Sequence, residues 1–542
     1  MRLNSATHTR RRFLKMSATG TLATLWVLDG CGRTSTAELE TPPAPTEAAM
    51  IPETTEAEDL PPVQSLHIAF SNVPLQFDPA VMSTNAAIQV AFAVYEGLVW
   101  VDQDLTTQPA LAESWEASDD LLSWTFKLRQ DVEFHHGALL TAQDVVYTFG
   151  RLLDPAIGSP LRSVLSFIAS VDAVDDGTPA GAVRFTLTSA NADLPLLCGA
   201  PQALILSHEY DSELLPNAPS GTGPFRVDEL VPGQHIRFIR NDSYWAAAEI
   251  LLQEVFHIYT PSFDDRAAAL SAGEVNLLPD ISGKEAALLA GEEAIEIAES
   301  PSGAYQTVVM QATEAPFDDV RVRQALKLCI DRAAVRDALL GGRGEIALDH
   351  PVASISPFHA DLPARQQNIE QARQLLLDAG YPDGIQLDLI TANVDPGMVE
   401  LAQLVQAMAA PAGFDISPTE VPSDVYWNSY WGQVPFHIGS WNFRPSIDET
   451  FALAFRSDSI WNESRWYNAD LDALLDAARS EPHFEQRKAF YRQAQQMIME
   501  EGAVIIPVFR PVLTAMHKRV QGFVPHPAGW ISLRNVQIVE QA

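Results

Sequence analysis

Ile369-Glu370-Gln371-Ala372-Arg373-Gln374-Leu375-Leu376-Leu377-Asp378-Ala379-Gly380, then Tyr381-Pro382-Asp383-Gly384, then Ile385-Gln386-Leu387-Asp388-Leu389, is the stretch that decides the fold class. Its first part reads as a helix carrying Leu375 and Leu376. Gly380 stops it, with Pro382 just beyond, because glycine tolerates the left-handed backbone of a helix end and proline cannot continue the helix. The alternation of Ile385 to Leu389 reads as a strand. A second helix follows, with Leu401, Leu404, Val405 and Met408 on it, and ends near Gly413. Helix, strand and helix in succession predict α/β layering.

The pattern extends in both directions. Upstream, Phe317-Asp318-Asp319 leads into a helix bearing Val322, Leu326, Cys329 and Ile330; downstream, a helix through Phe490, Met497 and Ile498 precedes residues 503–509, which read as one buried strand. Toward the N-terminus the texture becomes richer in strands. Leu66-His67-Ile68-Ala69-Phe70 alternates, and further on Trp124, Phe126 and Leu128 share one face while Ser123, Thr125 and Lys127 take the other. Thr141-Ala142-Gln143-Asp144 starts a helix that Thr141 is placed to cap. The chain contains no internal repeat.

A length of 542 residues predicts two to four units, and 47% hydrophobic content is ample for their cores. Only 35 Lys and Arg face 70 Asp and Glu, a formal charge of -35, which reads as a solvated acidic surface. Such a field repels phosphate backbones and argues against a nucleic-acid partner. The first thirty residues run the other way, with Arg2, Arg10, Arg11, Arg12 and Lys15 against Asp29, and so read as an address. Thr9-Arg10-Arg11-Arg12-Phe13-Leu14-Lys15 resembles the twin-arginine export signal at every fixed position. Residues 16–28 are apolar and uncharged, but at about 1.5 Å per residue they reach roughly 20 Å, short of a hydrocarbon core of about 30 Å. They read as the hydrophobic part of a signal peptide spanning 1–30. Leu28-Asp29-Gly30-Cys31 resembles a lipobox, which makes Cys31 the expected lipidation site; Asp29 stands where a small residue is usual, so ordinary secretory cleavage is the alternative. Residues 31–63, rich in Pro, Thr, Ala and Glu, read as a flexible tether.

Beyond Cys31 only Cys198 and Cys329 remain. Cys329 falls on the apolar face of its helix and reads as core packing, with a Cys198–Cys329 disulfide left open for an oxidising compartment. There is no Cys-x-x-Cys or Cys/His ligand spacing, so neither a metal nor a cofactor is expected.

A series of motifs then occurs in a fixed order. Phe77-Asp78-Pro79-Ala80 comes first, followed by Val94-Tyr95-Glu96-Gly97-Leu98 and Pro109-Ala110-Leu111-Ala112-Glu113-Ser114-Trp115. Val132-Glu133-Phe134-His135-His136-Gly137, Leu140-Thr141-Ala142-Gln143-Asp144-Val145-Val146 and Gly221-Thr222-Gly223-Pro224-Phe225 follow. Arg240-Asn241-Asp242-Ser243-Tyr244-Trp245, Leu270-Ser271-Ala272-Gly273-Glu274-Val275 and Pro316-Phe317-Asp318-Asp319-Val320-Arg321 complete the series. In this order they resemble the bacterial family 5 extracellular solute-binding proteins, the dipeptide, oligopeptide and nickel receptors of ABC importers. The likeness covers nearly the whole chain after the tether. It implies an α/β, two-lobed fold of the type II periplasmic-binding-protein kind, with a hinge, a discontinuous first lobe and an extra small domain. By that template residues 64–97, 218–300 and 510–542 form lobe I, 98–217 the small domain and 301–509 lobe II.

Two of these motifs invite other readings. Gly221-Thr222-Gly223-Pro224-Phe225 lacks the Gly-Lys-Ser/Thr ending of a phosphate loop, and Pro224 removes an amide donor, so it reads as a structural turn. His135 and His136 are adjacent, and neighbours on a strand point to opposite faces, so a turn is favoured over a metal site. Nucleophile and metalloprotease motifs (Gly-x-Ser-x-Gly, Ser-x-x-Lys, His-Glu-x-x-His) are absent, and no enzyme activity is expected.

The resemblance places ligand contacts in Gly439-Ser440-Trp441-Asn442-Phe443-Arg444-Pro445-Ser446-Ile447-Asp448. In peptide-binding relatives an aspartate three residues after the tryptophan grips the peptide's ammonium group; here that position is Arg444. Either Arg444 faces the cleft and receives an anion, or it is paired to a neighbour such as Asp448 and another acid anchors the ammonium. Trp441, Asn442 and Phe443 are further ligand candidates, as are Tyr426, Trp427, Thr84 and Asn85, with core packing the alternative for the aromatic residues. The function expected is an extracytoplasmic, lipid-anchored and monomeric receptor that closes on a peptide or peptide-like solute and delivers it to a membrane permease. A sensor that presents its ligand, or a receptor for a non-peptide anionic solute, is the alternative.

Overall fold

Two long antiparallel strands, Ile295–Met310 and Val508–His517, run through the middle of a 12-stranded sheet and belong to both halves of the molecule. This is a computed structural model that describes residues 64–539, apart from Val73, Leu75, Gln76 and Ser83. The expected signal peptide, Cys31 and tether lie outside the described residues.

On one side of the central pair the sheet continues through Leu277–Leu278, Ser65–Phe70, Glu254–Tyr259, His235–Arg240 and Phe225–Val231. On the other it continues through Phe436–Trp441, Ile385–Thr391 and Phe414–Glu420. The chain thus builds one lobe from separated segments, crosses to build the second, and returns. Ile295 to Ser300 pairs with His517 to Val512, whereas Tyr305 to Met310 pairs with Trp441 to Phe436. Between these stretches the register shifts, at Ser300 to Ala304. Pro301 and Pro511 flank that shift, and neither can donate a ladder hydrogen bond, so the sheet is least tightly tied where the lobes meet. This is the hinge.

A separate four-stranded antiparallel sheet, Ala112–Ala117, Ser123–Leu128, Ala182–Leu187 and Ile168–Val174, makes the small extra domain. Alternation places Trp124, Phe126 and Leu128 inside, as the sequence pattern requires. Helix Ala142–Leu153 packs against it, and the Asp144 carboxylate reaches back to the Thr141 amide at 2.7 Å.

Several of the ordered motifs turn out to form one joint. Buried Glu96 accepts hydrogen bonds from Tyr244 Oη at 2.7 Å, Thr222 Oγ1 at 3.1 Å and Trp245 Nε1 at 3.1 Å, with Arg534 at 3.5 Å. Burial raises the Glu96 carboxyl above its usual pKa, against the pull of Tyr244 and Arg534. Gly221 and Gly223 press on the backbone of Val94, where any Cβ would collide with its carbonyl. His135 Nε2 lies 3.0 Å from the Gly223 carbonyl and its own amide donates to Gly221. These residues form a structural turn.

The deciding stretch folds as helix Ile369–Asp378, capped by Asn368, then strand Ile385–Thr391; helix Met398–Ala409 connects that strand to its parallel neighbour Phe414–Glu420. Residues 503–509 differ from the expectation of one buried strand. Val504–Ile505 pairs with Val309 and Val308, the chain breaks at Pro507, and Val508–His517 begins afresh as a hinge strand. Proline's missing amide explains the break. Cys198 and Cys329 are both buried and unpaired.

Candidate functional site

The cleft between the lobes lies where the hinge strands cross, and its walls come from loops that follow sheet strands. The far-lobe loop Asn393 to Gly397 succeeds strand Ile385–Thr391, placing it at the carboxyl end of a parallel strand, where open α/β sheets bind ligands. Asn442 and Phe443 follow Phe436–Trp441, and Asn85 opens helix Asn85–Val94 on the near lobe. The space is divided into a chamber of about 450 Å³ and a second of about 210 Å³. Asn85, Asn442, Phe443 and Ala528 line both and so form the partition. Gly303 in the hinge lets the Phe443 ring lie against the backbone, since a Cβ there would strike the ring.

The larger chamber holds most of the cleft's charged side chains. Arg510 Nη1 meets Asp395 Oδ2 at 2.7 Å, and Ser440 Oγ donates to the same carboxylate. Lys284 Nζ reaches across the cleft to Glu400 Oε1 at 2.8 Å. Lys284 is largely exposed and Glu400 about half-exposed, and such solvated pairs contribute no more than about 1 kcal/mol. Glu400→Gln is therefore expected to leave the melting temperature unchanged within a degree or two and to loosen closure only slightly, which distance measurements between labels on the two lobes would register as a modest shift. A large opening would mean that this pair is the main latch.

The smaller chamber has Ile88, Leu161, Leu196, Leu453, Trp461 and Trp530 among its walls. Its charged groups are Arg444 and Glu449, paired at 3.0 Å from Nε to Oε1. Burial raises the Glu449 carboxyl's pKa, and Arg444 opposes that rise. Arg444 Nη1 also donates to the Asn442 carbonyl at 3.2 Å, and the guanidinium lies 5.6 Å from the Trp441 ring centre.

Of the residues the sequence singled out, Asn85, Asn442, Phe443 and Arg444 line the cleft. The others do not border either chamber. Asp448 is 2% exposed and held by Arg479 Nε at 3.0 Å, so the partner of Arg444 is Glu449 and not Asp448. The reason is helical spacing: in helix Ile447–Ala454, Asp448 shares the inward face with Phe451, while Glu449 turns toward the cleft. Trp441 is buried with its Nε1 donating to Glu463 at 2.7 Å, and Tyr426 is buried with its hydroxyl donating to the Ile438 carbonyl. Trp427 packs edge-on against Tyr426 and Trp431 with 44% of its surface exposed. Thr84 caps helix Asn85–Val94, accepting from the Ala87 amide. Sequence reasoning missed Asp280, Lys284, Asp395, Glu400 and Arg510. For three of them the one local signal is a charge beside a proline, in Pro279-Asp280, Asp395-Pro396 and Arg510-Pro511; Lys284 and Glu400 carry none.

The family model described as bacterial extracellular solute-binding proteins, family 5 Middle, matches residues 106–463. The chain belongs to this family. Heme-binding protein A of Haemophilus influenzae is 31% identical across 97% of this chain and 100% of that protein. The dipeptide-binding protein of Escherichia coli is 28% identical across 79% of this chain and 86% of its own. Among solved structures, HbpA2 from Haemophilus parasuis superposes with a TM-score of 0.78 at 26% identity, covering 88% of this chain and all 100% of that one. A Pseudoalteromonas dipeptide-binding protein in complex with Met-Leu gives 0.74 at 26% identity, with 88% and 100% covered. The family-5 fold therefore accounts for the two lobes, the hinge and the small extra domain. Among the described residues there is no group of three or more metal-ligating side chains, and no helix is long and apolar enough to cross a membrane.

Proposed function

We propose that this family-5 protein captures a peptide or peptide-like solute between its lobes and delivers it to the permease of an ABC importer. The observation that carries this reading is the two-chambered cleft, whose walls come from both lobes and whose floor is the hinge. A ligand touching both lobes stabilises the closed form by its differential affinity, which is what a capture-and-release receptor requires. The relatives include proteins named for dipeptide binding. On this reading residues 64–97, 218–300 and 510–542 act as lobe I, 301–509 as lobe II, and 98–217 as the small domain. Binding proceeds without turnover. Export by the twin-arginine signal and lipidation of Cys31 would hold a monomer at the outer face of the cytoplasmic membrane, and Cys31→Ser should then move the protein from the membrane fraction to the soluble one.

Asn85, Asn442 and Phe443 supply contacts at the partition, and the Arg444–Glu449 pair supplies them in the smaller chamber. Mass spectrometry of small molecules released from the purified protein, followed by calorimetric titration with short peptides and acidic metabolites, tests the ligand class. Recovery of non-peptide solutes alone, with no peptide bound, would overturn the peptide reading. Arg444→Ala should weaken the recovered ligand about tenfold or more, as expected for loss of a charge-assisted contact; unchanged affinity would remove Arg444 from the ligand contacts.

A further inference from the structure

We infer that Asp280, on the near lobe, is the anchor for a primary ammonium group of the ligand. This deepens the peptide-like reading and takes from it only the source of the amine. The larger chamber's charges are otherwise matched within the protein. Asp395 is held by Arg510 and Ser440, Glu400 by Lys284, and Arg343 by Glu299. Glu285 is occupied by the Ser282 amide at 2.7 Å, with Arg266 at 4.0 Å. In the smaller chamber Arg444 and Glu449 neutralise each other.

Asp280 is the exception. It lines the larger chamber as an exposed residue open to a diffusing ligand, and among the described residues no Lys, Arg or His lies within ion-pair reach of it. Its one side-chain partner among the described residues is the neutral amide of Asn85, which donates to Oδ2 at 3.2 Å. The backbone supports a deliberate placement, because Asp280 adopts φ of 56°, a left-handed conformation that aspartate tolerates better than most residues. Pro279 precedes it, and the following Ile281 is buried with its amide bonded to the Leu513 carbonyl of a hinge strand. The carboxylate is thereby held beside Asn85, the residue at the partition. An unmatched negative charge on the wall of an interlobe cleft attracts a cation more strongly once the lobes close over it than the same charge on open surface. A primary ammonium fits best, since its three donors can serve the carboxylate and neighbouring carbonyls together. The placement also resolves where an amine goes when Arg444 occupies the far-lobe position at which an acid was expected.

The test is calorimetric titration at neutral pH of the purified full-length protein and of Asp280→Asn, with three probes: the dipeptide Met-Leu, its N-acetylated form, and spermidine. Asparagine keeps the left-handed tolerance and the hydrogen bond to Asn85, so only the charge is lost. The expected result is that Met-Leu binds the wild type and weakens about 10- to 100-fold in Asp280→Asn, while N-acetyl-Met-Leu binds weakly to both alike. Equal binding of Met-Leu by the two proteins, or equal wild-type binding of Met-Leu and its acetylated form, overturns the Asp280 anchor and leaves the peptide reading standing. Binding of spermidine alone, lost in Asp280→Asn, supports the anchor and overturns the peptide reading. Binding of no probe up to millimolar concentration overturns both.

Discussion

Arg332→Ala is expected to lower folding stability by about 3–5 kcal/mol, the cost of stripping one partner from a buried ion pair. Arg332 Nη2 meets both oxygens of Asp349, at 2.8 and 2.7 Å, and the two side chains are 2% and 0% exposed. Nη1 of the same guanidinium donates to the Ile330 carbonyl at 3.2 Å. Truncation leaves the Asp349 carboxylate in the far lobe's core with Arg365 at 3.4 Å and the Ile506 amide at 3.2 Å as its remaining partners. Ile506 immediately precedes the proline break before the second hinge strand, so the damage should extend to the cleft floor. Urea denaturation followed by tryptophan fluorescence reads the loss. The double variant Arg332→Met/Asp349→Leu should recover part of it, because replacing a whole buried pair by apolar groups is far less costly than halving it. A loss below about 1 kcal/mol for Arg332→Ala would show that Arg365 alone satisfies Asp349, contrary to this account.

The fold was legible where the chain repeats a local rule. Leu375, Leu376 and Gly380 announce a helix and its end, and the alternation from Ile385 announces the strand, because both signals depend on neighbours in sequence. The hinge was not legible. Its strand Val508–His517 contains Pro511, and nothing local reveals that Ile295–Met310 changes partner midway. The site divides along the same line. Asn442 and Phe443 were found because they follow a motif, but Asp395 and Arg510 meet from positions 115 residues apart and carry no shared pattern. Asp448 shows the converse error. Proximity to a motif points this carboxylate to the cleft, whereas a one-residue step along helix Ile447–Ala454 turns it to Arg479 and presents Glu449 instead. Direction on a helix face, not proximity in sequence, selects the pair.

The wild type should gain stability relative to Lys327→Met as pH rises from 7.5 to 9.5. Lys327 is fully buried, and its Nζ donates to the Ile498 and Met499 carbonyls at 3.0 Å, near the end of helix Phe484–Glu501. Burial pulls the amine down to a pKa of about 7; Asp349 opposes the shift, and Arg365, Arg323 and Arg332 add to it. In the unfolded chain the same amine titrates near 10.4, roughly the value of a free lysine. Between these pH values the unfolded chain holds a proton that the folded protein does not, so stability rises with pH, by up to about 1.4 kcal/mol per unit. Over the two units considered the difference between wild type and Lys327→Met should grow by roughly 2–3 kcal/mol. Cys198 and Cys329 act in the opposite sense. Burial raises both thiols, Cys329 to about 12, so above about pH 8.5 the unfolded chain ionises first and stability falls. That loss is common to both proteins and cancels in their difference. Urea midpoints at half-unit pH steps measure it, and a flat difference curve would mean that Lys327 stays charged in the core, held by the two carbonyls and Asp349.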